Sequence, residues 1–492
     1  MVPMRILMIS AEYAPFAKAG GLADMVTGLS KALARAGHDV RVVLPLYSDL
    51  RAHADDQPGS AGLSIGDTQV SPVALRGTHP GYMLRQYTER DPSGPLVYRV
   101  DAPAFFGSGT IYGGGELEAR RFALLAHAGL RLCELLDWPP LIVHCHDWHA
   151  ALATVLLKHG YQSARLFRGA SSVLTIHNIG YQGVFAGSLG PELGLGGAVA
   201  AGPGTRDLNF LRDGLLAADA LTTVSPTHAA EILTPEYGMG LDALLRQRRN
   251  RLVGILNGVD YSDWDPATDP RIPARYSADN LAGKRACRDA LLHRAGLQTG
   301  LPVPLVGMVS RLAEQKGVEL VAAALPQLLE QRQLQAVIVG QGEERYAAEL
   351  RKLAAAHPTL FHYFDAQDES LARQVFAGSD AFLVPSMYEP CGLTQLYSLR
   401  YGAVPVVRET GGLKDTVRHF DAATGTGTGS VFKDADGQGL AWAIGEVLAW
   451  HRQPGVWARL QQNGMAEDFS WRHQAPRYEA LYRQLTGTGI NP

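Results

Sequence analysis

The sequence predicts an α/β protein built as two doubly wound, Rossmann-like domains in series. Three observations carry this. Apolar runs of strand length alternate with longer segments of helical period, the pattern of a parallel sheet covered on both faces. The alternation pauses and resumes after about residue 250. The chain has 492 residues, which is more than one ordinary core accommodates; length alone argues for roughly two or three domains.

In the first half the strand candidates are 5–10, 38–45, 141–146, 172–177 and 220–225. Between the first two lies a helix with apolar residues Leu22, Val26, Leu29 and Leu33 on one face, closed by Gly37. In the second half they are 251–256, 304–310, 335–340, 360–364, 381–386 and 404–408. The junction falls near Asn257-Gly258-Val259-Asp260, and the domains are expected at 1–253 and 254–470. The polar, proline-bearing stretch from Trp264-Asp265-Pro266 to about residue 280 reads as linker or surface loop. Gly-rich segments at 186–205 and 424–429 read as mobile loops.

Composition narrows the class. An apolar share of 46% and a charged share of 19% fit a soluble globular protein. Lys+Arg (45) and Asp+Glu (48) nearly cancel without a polybasic run, so neither a nucleic acid nor a membrane surface is an expected partner. The first apolar run, Arg5 to Ser10, is too short for a signal core or a span. Cys133, Cys145, Cys287 and Cys391 have no paired spacing, which fits reduced thiols and a cytoplasmic location.

The most informative run is Tyr388-Glu389-Pro390-Cys391-Gly392-Leu393-Thr394-Gln395. It joins a buried-strand pattern to a helical one, so the free N–H groups at a helix start point above the strand ends and suit an anion. Glu389 at the lip of that corner can accept hydrogen bonds from sugar hydroxyls, and a nucleotide sugar would use both features. Arg311 ends another strand, and Lys316 follows beside Gly317; two cations at strand carboxyl ends suit a diphosphate, although paired surface cations would look the same. Lys18 with Gly20 and Gly21 occupies the first strand-to-helix turn, where a ligand can approach the backbone; a solvated loop lysine is the plain alternative. Neither a P-loop nor a complete dinucleotide fingerprint is present.

His144-Cys145-His146-Asp147-Trp148-His149 contains zinc-ligand types, but strand alternation splits His144 and His146 from Cys145, so no metal is expected. Asp147 and Trp148 are instead expected to face a ligand as a carboxylate and an aromatic platform. His177, in Thr175-Ile176-His177-Asn178, ends a second strand on the same rim and is expected to contact the ligand.

Together these stretches, with Pro15 through Asp24, Val224-Ser225-Pro226, Leu256 through Asp260, Ser310-Arg311, Gln315-Lys316-Gly317 and Thr410-Gly411-Gly412-Leu413, resemble the bacterial glycogen synthase and plant starch synthase family along nearly the whole chain. The resemblance implies the GT-B arrangement, two Rossmann-like domains facing across a cleft, the first on the acceptor side, the second on the donor side, and helix 471–492 returning to the first. It implies transfer of glucose from ADP-glucose to the non-reducing end of an α-1,4-glucan such as glycogen, with retention of configuration and no cofactor. Lys18, Arg311 and Lys316 match the cations that meet the donor diphosphate, and Gly392-Leu393-Thr394 matches the phosphate-binding helix start. Asp147, His177, Asn257 and Glu389 match residues around the transferred glucose, Trp148 an aromatic beside it, and Cys391 a substrate-adjacent thiol. Tyr112 is a further donor-contact candidate. Tyr397 stands where many related enzymes carry a second glutamate, which the bacterial and plant synthases also lack. A UDP-glucose enzyme and a catalytically silent glucan-binding protein are the rival readings. Since the implied site draws on both halves, domain closure is expected to assemble it.

Overall fold

The computed structural model describes residues 2–47, 64–68, 83–88, 93–107, 109–161, 164–195 and 207–487; the second half of the 186–205 segment, 196–205, lies outside them. The chain forms two compact units. The first comprises Met1–Val224, Ala229–Gly258 and Trp471–Pro492, and the second comprises Ser225–His228 and Val259–Ser470.

In chain order the strands of the first unit's main sheet are β1 (Arg5–Ile9), β2 (Asp39–Pro45), β3 (Ser64–Thr68), β4 (Met83–Thr88), β5 (Leu96–Asp101), β6 (Ile142–His146), β7 (Ser171–Ile176), β8 (Ala220–Thr223) and β9 (Leu252–Gly254). Their spatial order is β9-β8-β7-β6-β1-β2-β5-β4-β3. The seven from β9 to β5 are parallel, and β4 and β3 continue the sheet antiparallel. Winding therefore starts at β1, runs outward through β2 and β5, then reverses from β1 to β6, which places a topological switch point between β1 and β6. Strand β5 was not expected from the sequence because Arg99 interrupts its apolar run. That arginine is only 1% exposed, and its guanidinium lies 4.7 Å from the ring centre of Phe16.

The helix Gly21–Arg35 follows the predicted face, with Leu22, Val26, Leu29 and Leu33 buried. Its Gly28 abuts Trp471 at the start of the terminal helix Trp471–Thr486: a Cβ at residue 28 would lie 1.8 Å from the indole nitrogen. Further along that helix, the Tyr482 hydroxyl hydrogen-bonds His144 Nδ1 at 2.7 Å. The terminal helix is thus packed into the first unit's core.

The second unit has β10 (Leu305–Val309), β11 (Gln335–Val339), β12 (Phe361–Phe364), β13 (Ala381–Val384), β14 (Val404–Arg408) and β15 (Ser430–Phe432). All are parallel, in the order β12-β11-β10-β13-β14-β15. This is the Rossmann order, with its switch point between β10 and β13. Each sheet face has its own core: Ala336 and Ile338 of β11 join one, while Val337 and Val339 join the other. The two glycines of Gly340-Gln341-Gly342 serve a close crossing of loops, since a Cβ at either would lie within about 2 Å of the Ser310 or Leu312 carbonyl oxygen.

Two loop expectations are corrected. The stretch after Asp260 has no regular period, yet it is a docked strap: Val259, Trp264, Ile272 and Tyr276 are buried. Trp264 stacks on Tyr397 with centroids 3.6 Å apart. Buried Arg373 covers the indole at 3.6 Å and binds Asp263, Asp269 and Glu369. Its periodicity is hidden because single anchors hold it. The 424–429 segment belongs to a hairpin closed by bridges His419–Gly429 and Asp421–Thr426 and tied by Asn463 Nδ2 to the Gly425 and Gly427 carbonyls, both at 2.9 Å.

Candidate active site

Each switch point gathers polar side chains at its strand ends. In the first unit, β6 ends in His146, and Asp147 opens the helix Asp147–Leu156 with φ of 56°. A left-handed backbone is strained for a residue other than glycine, costing about 1–3 kcal/mol, and aspartate tolerates it better than most. The turn aims the carboxylate sideways: Oδ1 accepts the N–H groups of His177 (2.7 Å) and Asn178 (3.3 Å) at the end of β7. Asp147 and His177 are thus brought together. Burial pushes the Asp147 carboxyl up to about 7, against the pull of those two N–H donors.

Around it lies a group of imidazoles. His144 and His146 share a strand face with ring centres 4.1 Å apart, and His146 Nδ1 meets His177 Nε2 at 3.2 Å. Burial holds His144 and His149 down near 3, and it lowers His146 and His177 as well. These rings act at neutral pH as uncharged hydrogen-bonding groups. Nε2 of His146 and Nδ1 of His149 are buried without a hydrogen-bond partner among the described residues. Cys145 points to the opposite face, and no group of three or more His, Cys, Asp or Glu among the described residues is arranged to hold a metal ion.

Trp148 does not present an open platform. It is 6% exposed, and Phe122, Phe185 and Phe210 surround it. Gly183 covers its face so closely that a Cβ there would come within 2.2 Å of the ring. Its remaining edge lines an open cavity of about 380 Å³ with Glu118, Tyr181 and Gln182.

The turn after β1 holds a residue the sequence reading missed. Glu12, 3% exposed, accepts the Ala19 and Gly20 N–H groups at 2.7 and 2.9 Å, and its other oxygen accepts the Tyr112 hydroxyl. Tyr112 in turn stacks on His149. The Gly20 N–H is therefore engaged within the protein, while Gly21 begins the helix. Lys18 pairs with Asp24 at 2.8 Å. A lone glutamate has no periodic signature; its place directly beyond a strand end was the available signal. Asn257 is buried near the end of the first unit's middle segment, and its Oδ1 has no hydrogen-bond partner among the described residues.

In the second unit, the loops following β10 and β13 are laced together. Gln315 Nε2 donates to the Tyr388 carbonyl, and the Met387 N–H donates to the Gln315 carbonyl. Gly317, at φ of 67°, passes under Pro385, where a Cβ would sit 2.1 Å from the carbonyl oxygen. This lacing sets Lys316 Nζ 2.6 Å from Glu389 Oε2, which also accepts the Ser386 hydroxyl at 2.8 Å. Arg311 is exposed and makes no ion pair or hydrogen bond among the described residues.

Glu389 leads through buried Cys391 into Gly392, whose φ is 73°, then Leu393 and the helix Thr394–Arg400. The N–H groups of Gly392, Leu393 and Thr394 have no acceptor among the described residues. Gln395 closes the turn from beneath, donating to the Cys391 and Gly392 carbonyls. One corner thus offers a cation paired with a buried carboxylate and three N–H donors without an acceptor among the described residues. Donors of this kind can receive an oxyanion.

Two Rossmann-type sheets, each with polar groups at its switch point, are the architecture of the GT-B class, and the following likenesses show that the chain is a glycosyltransferase of that class. The family model described as the starch synthase catalytic domain matches residues 5–247, and that of glycosyl transferases group 1 matches residues 293–458. The chain is 45% identical over 491 residues to a glycogen synthase of Anaeromyxobacter sp. (strain Fw109-5), covering 98% of this chain and 99% of that protein. It is 41% identical to glycogen synthase 2 of Geobacter sulfurreducens, covering 99% of each. The catalytic domain of starch synthase IV from Arabidopsis thaliana, solved bound to ADP and acarbose, superposes with a TM-score of 0.88 at 33% identity, over 99% of this chain and 100% of that one. The chain belongs to the glycogen synthase and starch synthase family. No helix among the described residues is long and apolar enough to cross a membrane.

Proposed function

We propose that this glycosyltransferase moves glucose from ADP-glucose to the non-reducing end of an α-1,4-glucan, retaining the anomeric configuration. The observation that carries the reading is the Lys316–Glu389 corner, where a paired cation and a buried carboxylate adjoin three N–H groups without an acceptor among the described residues. The Arabidopsis relative, solved with ADP and acarbose, supports the nucleotide and the sugar class.

Cleavage of the bond between glucose and diphosphate places negative charge on the leaving phosphate and positive charge on the sugar ring. Arg311, Lys316 and the 392–394 N–H groups stabilise the first, each well-placed donor contributing about 3–4 kcal/mol to the barrier. In the first unit, Lys18 can exchange Asp24 for an anionic oxygen of a ligand. In the second unit Glu389 accepts from sugar hydroxyls and Cys391 packs beside the donor turn; in the first, Asp147 orders the His177 and Asn178 backbone, and Asn257, the uncharged imidazole of His177 and Trp148 are that unit's sugar-contact candidates. Asp147 Oδ1 accepts two N–H groups and Glu389 Oε2 accepts from lysine and serine, which favours binding roles over nucleophilic ones. Retention then follows from attack on the face the phosphate leaves, with the departing phosphate taking the acceptor proton.

Radiolabelled glucose transfer into glycogen tests the reading, run with chelator and with ADP-glucose and UDP-glucose in parallel. ADP-glucose is expected to be the better donor, with α-linked product. A Glu389→Gln variant is expected to lose about 100-fold in kcat, the scale of one charge-assisted hydrogen bond in the transition state. Its ADP affinity should be unchanged or tighter, because Lys316 is released from its partner. Exclusive use of UDP-glucose would overturn the donor assignment, and a glucosyl ester trapped on Asp147 or Glu389 would overturn the same-face step.

A further inference from the structure

From Trp442 and His419 we infer a second glucan-binding site on the second unit, separate from the Lys316–Glu389 corner. Trp442, on the helix Gly437–His451, is 52% exposed and is the only exposed large hydrophobic residue among the described residues of that unit. Its indole lies nearly parallel to the exposed His419 ring, 13° between planes with centroids 5.6 Å apart. Buried Trp450 supports the arrangement from beneath, packing edge-on against both His419 and Phe420.

The histidine is oriented. Its Nδ1 accepts the Val431 N–H at 3.1 Å, which leaves the proton of the neutral ring on Nε2, available to a ligand. The bonded hairpin beginning at Asp421 follows directly and carries the hydroxyls of Thr424 and Thr426. An exposed indole face, with the N–H donor of the imidazole stacked beside it, matches a pyranose, which has apolar C–H faces and a polar rim. A protein partner would need a contiguous apolar patch, and here a single indole stands among polar neighbours. The occupant is therefore an α-glucan chain.

This inference rests on the proposed glucan acceptor. A branched polymer offers many chains at once, so a second foothold raises the effective concentration of its ends at the catalytic groups without any new contact there.

The test compares wild type with Trp442→Ala and Trp442→Phe by affinity electrophoresis in gels containing glycogen, amylose or dextran, together with transfer rates to glycogen and to maltopentaose. Trp442→Ala is expected to lose retardation by glycogen and amylose and to raise the KM for glycogen about 10-fold, with maltopentaose turnover and melting temperature unchanged. Trp442→Phe is expected to restore part of the retardation. Retardation equal to wild type would overturn the inference, as would a change in oligomeric state on substitution, which would make this face a contact between copies. Glucan retardation that depends on Trp442 in a wild-type protein without transferase activity would keep the second site and overturn the proposed function. Full activity with no dependence on Trp442 would do the reverse.

Discussion

Asp147 shows how one residue can be both a strain point and a sensor. Its left-handed backbone turns the carboxylate toward two N–H donors, while burial raises its pKa to about 7, above the ordinary 3.8. With the folded pKa raised, the stability this group contributes is fully present below about pH 4 and is lost as pH rises through 7. Activity should run the other way, because the ionised form is the better acceptor for the His177 and Asn178 N–H groups. We expect kcat/KM to climb with pH through about 7 in wild type. Asp147→Asn should lack that limb and show a plateau about 100-fold lower; a variant profile that keeps the same inflection would refute the assignment. Glu12 is the counterpart that sequence reasoning missed. Its function lies in contacts with residues 19, 20 and 112, and such contacts have no periodicity to read.

At the level of elements, alternation found most parallel strands, because strands buried on both faces read as unbroken apolar runs. It failed at β5, where buried Arg99 replaces an aliphatic residue, and at the Trp264 strap, where tertiary anchors replace local pattern. Strand order was not readable either, yet it determines which turns converge. Close packing between elements can be tested at glycines. Trp471 is wedged between Gly28 and Gly258, where added Cβ atoms would lie 1.8 and 2.5 Å from its ring. Gly28→Ala should therefore destabilise the protein by about 1–3 kcal/mol by overpacking, outweighing the gain of up to about 1 kcal/mol in helix propensity. Gly445→Ala, in a helix with open space around it, should gain that propensity term and lose nothing. Denaturant melts of the two variants check both signs, and equal stabilities would contradict the packing account.

For the whole molecule, the sequence placed candidate residues at strand ends, and winding explains why they cluster there. Both main sheets start in the middle and reverse once, and each reversal leaves an opening flanked by two loops. In one unit those loops carry Glu12, Lys18, Asp147 and Trp148; in the other, Arg311, Lys316 and Glu389. Motif spacing supplied the residue types, but the Lys18–Asp24 and Lys316–Glu389 pairings and the enclosure of Trp148 depend on three-dimensional neighbours. The central claim is that fixed cations and N–H groups of the chain grip the diphosphate. Calorimetric titration of ADP in the presence of EDTA, comparing wild type with Arg311→Ala, tests it most directly. The account predicts binding that survives the chelator and weakens about 10- to 100-fold in the variant, the scale of one charge-assisted hydrogen bond. Equal affinity in the two proteins, or ADP binding abolished by EDTA, would contradict it.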